Sequence, residues 1–440
     1  MKALRNFLFQ PVDNSQLILF RIIFGFLITC EAWGAILTGW VRRAFIEPKM
    51  NFPFFDFDFL QPLPGNGMIY YFLFMGVFGV LVMLGYKYRV VAIGYAVIWS
   101  GVYFMQKTHY NNHYYLMVLL TWIFCLLPAN RSHALDAKNN PSIKRNYCYQ
   151  WHLWIFKGTV LIVYFYSAVA KMYPDWVDAV PIKIWFTQKA DYPIIGPLLV
   201  QSWFQHLVAW GGIIFDLLIG PALLWRRTRK AAFVSSLIFH GFNSIVFQVG
   251  IFPYMGIAFG LFYFEPEVIR KLFFKQKEPF TAIQETVSAR FQKAKTVAFS
   301  GFMLLMIVLP VRHHLFDGNV TWTEEGHRLS WRMMLRSKTG YVSVKVKRAA
   351  ETHYVNLDDY LAPKQQRAIA TRPDMFWYFI QHLKQDLTAK GEDDYDGIYA
   401  VSNVSLNGHA SKPLYDPTVD LSKVQWNKFS ENHWVTRGEK

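Results

Sequence analysis

Nine apolar runs, at 16–38, 67–85, 90–107, 113–128, 151–172, 203–225, 231–248, 251–265 and 296–311, dominate this chain. Crossing a bilayer as a helix takes roughly 17–25 mostly apolar residues. Backbone in hydrocarbon must satisfy its own hydrogen bonds, so runs of this length admit little besides a helical bundle. The runs at 113–128 and 251–265 are short, and suit tilted, re-entrant or bundle-buried helices. With 53% hydrophobic, 18% aromatic and only 17% charged residues, the chain is not an ordinary soluble protein. The expected fold is an α-helical polytopic membrane protein of about nine spans over residues 1–311. A small C-terminal α+β extracytoplasmic domain is expected over 312–440.

The net charge of +16 would suggest nucleic acid in a soluble chain. Here the basic residues sit mostly in loops between the runs. With the N-terminus inside, the inside segments hold 19 Lys and Arg. The outside loops hold six: Arg42, Arg43, Lys49, Lys107, Lys183 and Lys189. That asymmetry is the positive-inside pattern. The expected partner is therefore the bilayer and not nucleic acid, and an odd number of spans puts the tail outside. The N-terminal residues carry no h-region directly after their charges and read as no cleavable signal. Cys30, Cys125 and Cys148 form neither a disulfide framework nor a zinc-ligand spacing, and no metal is expected.

The tail changes character. "YVSVKVKR" (341–348) alternates as a strand does, and "THYVNL" follows after a short turn. "PKQQRAIATRPDMFWYFIQHLKQDL" reads as helical on either side of Pro373, and "GIYAVSNVSLNG" (397–408) as a strand ending in a turn. The aromatic loop "NFPFFDFDFLQPLPGNGM" (51–68) is expected to anchor at the membrane interface, or else to form a lip over a lipid-side entrance.

Polar groups inside an apolar bundle are costly, so each is a candidate for function. Asn111, Asn112 and His113 open the fourth run, Lys171 ends the fifth, and His240, Asn243 and Ser244 recur at helical spacing in the seventh. By the inside–outside pattern all three groups lie toward the tail side. Asp216 and Glu31 sit within the sixth and first runs, where bonding between helices is the blander reading. Lys171 either snorkels its charge to the headgroups or is held desolvated as a neutral base. A transporter path or a non-catalytic scaffold is the reading of a different class.

"NNHYYL", "YFYSAVAKMYPDW" and "FHGFNSIVFQVGIFPY", in that order and on one side, resemble the vitamin K-dependent gamma-carboxylases and their bacterial relatives. So does "LPVRHHLFDGNVTWTEEGHRLSWRMMLRSKTG" (309–340) after the last run. The resemblance implies a membrane enzyme that couples O2-dependent epoxidation of reduced vitamin K, or menaquinol in a bacterial host, to addition of CO2 at the γ-carbon of a protein glutamate. Epoxidation without carboxylation is the alternative within the family. By the same resemblance Lys171 is the base toward the hydroquinone, with His113, His240 and Asn112 in support. Asn111, Asn243 and Ser244 are expected on the quinol side. Arg312, His313, Trp322, Trp331, Arg332 and Arg336 are expected on the side of the glutamate substrate. The implied location is a bacterial inner membrane with a periplasmic site, or an endoplasmic reticulum membrane with a lumenal one. Since Lys171 adds no apolar contact and alanine is a good helix former, Lys171→Ala is expected to leave the bundle folded. The basic asymmetry makes its own test. Residues 312–440 should resist protease added to the cytoplasmic face of sealed vesicles, and their digestion from that face would reverse the orientation.

Overall fold

In a computed structural model, which describes residues 2–281, 288–349 and 351–438, each of the nine apolar runs contains a helix. Part of the inside loop expected at 266–295 and the end of the tail lie outside the described residues. The helices are α1 (Ser15–Leu37), α2 (Gly67–Leu84), α3 (Tyr88–Met105), α4 (Asn112–Leu126), α5 (Gln150–Ala170), α6 (Ser202–Leu224), α7 (Arg229–Val246), α8 (Phe252–Gly260) and α9 (Ala289–Val311). Among the described residues, six are long and apolar enough to cross a membrane by themselves: α1, α2, α3, α5, α6 and α9, the last extended to Leu315. The other three fall short for identifiable reasons. α4 has 15 residues, about 22 Å of helix against a core of about 30 Å. α8 is shorter still, and α7 carries Arg229, Lys230, two serines, His240, Asn243 and Ser244 along its length. α4 and α7 hold Asn112, His113, His240, Asn243 and Ser244, whereas Glu31, Lys171 and Asp216 belong to the long helices α1, α5 and α6.

The bundle packs closely where side chains are small. A Cβ on Gly76 would fall 1.9 Å from Trp33 Nε1, and one on Gly79 2.5 Å from Thr29 Oγ1, so α1 and α2 approach as small-residue faces allow. Arg21, fully buried in α1, donates to the carbonyls of Val82 and Met83 and to that of His133. A cation there satisfies the last carbonyls of α2, where the helix dipole favours positive charge.

The tail forms a second apolar core. Antiparallel β1 (Lys338–Arg348) lies between β2 (Glu351–Tyr354) and β3 (Gly397–Leu406), with Lys338 opposite Leu406 and Lys345 opposite Tyr354. Val342, Val344 and Val346 alternate inward, as a one-sided sheet requires. They meet Ile369 of α10 (Pro363–Thr371) and Phe376, Phe379, Ile380 and Leu383 of α11 (Pro373–Ala389). Pro373 starts α11 at its first turn, where its missing N–H costs nothing.

The aromatic loop has a role that neither expectation included. Phe52, fully buried, belongs to the core of the tail. Its backbone is bonded to the end of α3, with Phe52 N donating to Gln106 Oε1 and Lys107 N donating to Phe52 O. Phe54 and Phe57 stack on Tyr103 and Phe104, while Phe55 stacks on Trp426. Tyr378 donates to Asp58. The loop therefore clamps the tail onto the end of the bundle. Phe52→Ala should cost about 3–5 kcal/mol. It should also make the tail sensitive to trypsin at temperatures where the parent resists. Unchanged thermal unfolding and proteolysis would show that the clamp contributes little.

Candidate active site

α5 ends at Lys171 and carries Ser167 one turn earlier, so both side chains share a face. That face meets α6 at Asp216. Lys171 Nζ donates to Asp216 Oδ2 at 2.6 Å, to Ser167 Oγ at 2.6 Å and to the Ser167 carbonyl at 3.2 Å. Ser167 Oγ in turn donates to Asp216 Oδ2 at 2.6 Å. Lys171 and Asp216 are 7% and 5% exposed, so this lysine does not snorkel to the headgroups. All three donors of an ammonium are used, partners that the expectation of a desolvated neutral base did not name. The turn after Lys171 is pinned to α6 by Trp176, whose Nε1 donates to the Ala209 carbonyl, and the Trp176 ring lies 5.6 Å from Nζ.

This trio lies on the wall of a narrow cavity of about 90 Å³. The rest of the lining is largely apolar, with Trp176, Trp185, Phe239, Phe247 and Phe252. His240 and Asn243 of α7 reach it together. His240 Nε2 pairs with Tyr164 Oη at 2.8 Å, and its Nδ1 is buried with no hydrogen-bond partner among the described residues. Only glycine fits beside that imidazole, because a Cβ on Gly256 would lie 2.4 Å from the ring. Ser244 bonds Tyr254 instead and lines neither this cavity nor the two described next.

His113 stacks on Phe252 at 3.8 Å between ring centroids. It lines the apolar cavity, a basic cavity of about 290 Å³ beneath the tail, and a third of about 640 Å³ beside Glu31. Met334 lines all three as well. It has φ +46°, and Leu329 and Trp331 have φ +60° and +57°, so the segment from 329 to 334 turns three times through a conformation disfavoured for large side chains. Asn112 holds that segment in place. Its Nδ2 donates to the Arg332 carbonyl at 3.0 Å, and its Oδ1 accepts from Tyr110. Asn111 caps α4, accepting from Tyr114 N.

The residues expected on the substrate side divide. Arg332 and Arg336 line the basic cavity, but Glu324 already occupies the fork of Arg336. Trp331 is buried on Tyr115, and Trp322 donates to Thr436 within the tail. Arg312 donates to the Arg328 carbonyl, His313 pairs with the Pro310 carbonyl, and His314 stacks on His313; none of these lines the basic cavity. Several residues facing these cavities drew less weight from the sequence or none: Asp216, Tyr164, His327, Arg328, Lys338 and Arg372. For Asp216 the signal was present, as a carboxylate in mid-span. The tail residues meet only because the tail folds over the bundle.

Two family models match the chain: the HTTM domain over residues 9–267, and the lumenal domain of vitamin K-dependent gamma-carboxylase over 291–440. The chain belongs to the vitamin K-dependent gamma-carboxylase family. No solved structure matches it. In this gamma-carboxylase relative, Lys171 and its ion pair lie within the span of the first family model, Arg332 and its neighbours lie within the second, and His113 lies where the two sets of residues meet.

The ion pair sets a contrary prediction beside the expectation that Lys171→Ala leaves the bundle folded. Removing one partner of a buried pair strands the other charge and costs about 3–5 kcal/mol, whereas replacing both by apolar residues is often neutral. Lys171→Met should therefore lower the thermal unfolding temperature, and so should Asp216→Leu. The double variant should regain most of the loss. Equal destabilisation of single and double variants would mean that the contact carries no coupling.

Proposed function

We propose that the protein is a membrane-embedded, quinol-dependent glutamate carboxylase. Reduced vitamin K or menaquinol is oxygenated in the apolar cavity, and the glutamate of a protein or peptide is carboxylated in the basic one. The observation that supports this most is the shared wall. His113 and Met334 separate an aromatic pocket holding a buried lysine from a cavity rich in arginine. A lipid-soluble ring and an anionic side chain could thus be held side by side and away from bulk water.

The residues suit a hydroquinone. Aromatic walls match a flat apolar ring, and the unpartnered Nδ1 of His240 and the amide of Asn243 are available to its oxygens. Oxygenation of a bound quinol by O2 supplies a base strong enough to remove a γ C–H proton, which no side chain can do. The chain's own part is to start and shelter that reaction. A proton shift along the 2.6 Å contact from Lys171 to Asp216 turns two buried charges into an amine and a carboxylic acid. Nζ then accepts a proton from a hydroquinone O–H. The ammonium so formed is the counterion of the deprotonated oxygen, so the cavity carries no net charge at either stage. Ser167 keeps Nζ aimed through both states. On the tail side, Arg332 is available to a substrate carboxylate, and CO2 adds at the adjacent carbon. The basic asymmetry of the loops and the name of the matching tail domain support a lumenal or periplasmic site.

The decisive assay supplies purified protein with reduced vitamin K, O2, labelled bicarbonate and a glutamate peptide. Epoxide and labelled peptide should appear together. Epoxide with an unlabelled peptide would remove the carboxylase half, and no epoxide would remove the whole reading. Lys171→Arg should lower epoxide formation about 10²–10⁴-fold, the usual worth of an acid–base group, because guanidinium does not give up its proton. In the folded fraction of Lys171→Ala, a small primary amine should restore part of the rate. An active Lys171→Arg protein would show that the lysine is not the base.

A further inference from the structure

The basic cavity holds more positive charge than one substrate carboxylate can answer. Five cations line it: Arg328, Arg332, Arg336, Lys338 and Arg372. Two carboxylates face them. Glu324 is taken by Arg336, with Lys338 at 3.6 Å. Asp374 is taken by Arg328 at 2.9 Å, and Lys107 approaches it from the bundle at 3.6 Å. Two guanidinium groups remain. Among the described residues neither Arg332 nor Arg372 has a carboxylate at ion-pair distance. Arg372 donates to the Thr108 carbonyl, while the side chain of Arg332 donates to nothing and its Nε is buried. His327 Nδ1 is a further buried polar atom in this lining without a partner.

Crowding is visible in the titration of the group. Burial, aided by neighbouring guanidinium charge, brings Arg332 and Arg372 down to about 10. Lys338 falls to about 7, with burial the main cause and Arg336 adding to it. Burial and the same arginines hold His327 well below its ordinary value, and so uncharged. Buried cations under mutual repulsion are stabilised by an anion that touches more than one of them.

We propose that this cavity is a dianion site, matched to a geminal dicarboxylate of the malonyl type and not to a single carboxylate. The inference rests on the carboxylase reading above and deepens it. A glutamate side chain enters with one negative charge. Loss of a γ C–H proton to the base generated by quinol oxygenation gives it a second. Formation of the C–C bond to CO2 keeps the count at two, now on two carboxylates. Arg332 and Arg372 supply two guanidinium groups without a carboxylate of their own among the described residues, one more than the substrate's single charge answers. The site is therefore complementary to the charge that develops and to the product.

The test uses the full chain in lipid nanodiscs without quinol, titrated calorimetrically with malonate and with propionate. Malonate should bind about tenfold or more tightly than propionate, because it adds a second charge-assisted contact. Arg332→Gln should bring malonate close to the propionate level. This variant strands no carboxylate, so it should fold. Arg372→Gln is the second variant and should act in the same direction. Equal affinity for the two anions, or a malonate preference that survives both substitutions, would overturn the proposal. The outcome is separable from that of the turnover assay. Malonate selectivity without peptide labelling would keep the dianion site and remove the carboxylase reading. Labelling without malonate selectivity would do the reverse.

Discussion

Asp374 anchors the seam on which both cavities depend. It is buried at the start of α11 and takes two hydrogen bonds from one nitrogen of Arg328, at 2.9 and 3.1 Å. Lys107 approaches from the end of α3, 1% exposed and 4.0 Å from the centroid of the Phe55 ring. The arginine and lysine charges outweigh burial and hold the carboxyl at about 2, so it is ionised throughout the physiological range. One carboxylate thus ties together the tail, the segment after the last helix and the membrane bundle. Without it the basic cavity would lose one of the two carboxylates in its lining, and two buried cations would lose their counterion.

The site is built by a division of labour between long and short helices. The long apolar helices provide a frame whose packing needs only shape and small residues at close approaches. The three helices that fall short of spanning by length or composition, α4, α7 and α8, carry His113, His240 with Asn243, and Phe252. A polar residue deep in hydrocarbon is expensive. One in a short helix that ends beneath a folded tail faces a protein cavity instead. Starting α4 at Asn112 leaves that side chain free to hold the 329–334 segment by its backbone, in the wall between the two cavities.

Charge is handled differently on the two sides of that wall. In the apolar cavity the lysine and the aspartate form a buried ion pair whose charges cancel in a poorly solvated space. In the basic cavity cancellation is incomplete, since two of the guanidinium groups that line it have, among the described residues, no carboxylate at ion-pair distance. An arrangement that stores repulsion in this way costs stability. It persists because the tail core and the aromatic clamp hold the chain regardless.

Local pattern was enough for the membrane class, the positions of the nine helical runs, the strands and paired helices of the tail, and the polar residues that had to be explained. Each follows from local rules: apolar length, alternation, a proline at a helix start, and the cost of a polar group in lipid. It did not determine partners. Asp216 stands 45 residues from Lys171 along the chain, and Lys107 stands 267 from Asp374. No spacing rule connects such residues, because their meeting depends on how helices are ordered around the bundle and on the tail folding back over it. Arg332 and Arg336 read alike in sequence, as basic residues one turn apart. Tertiary structure alone made one of them half of an ion pair and left the other without a partner, since what distinguishes them is whether Glu324 lies within reach.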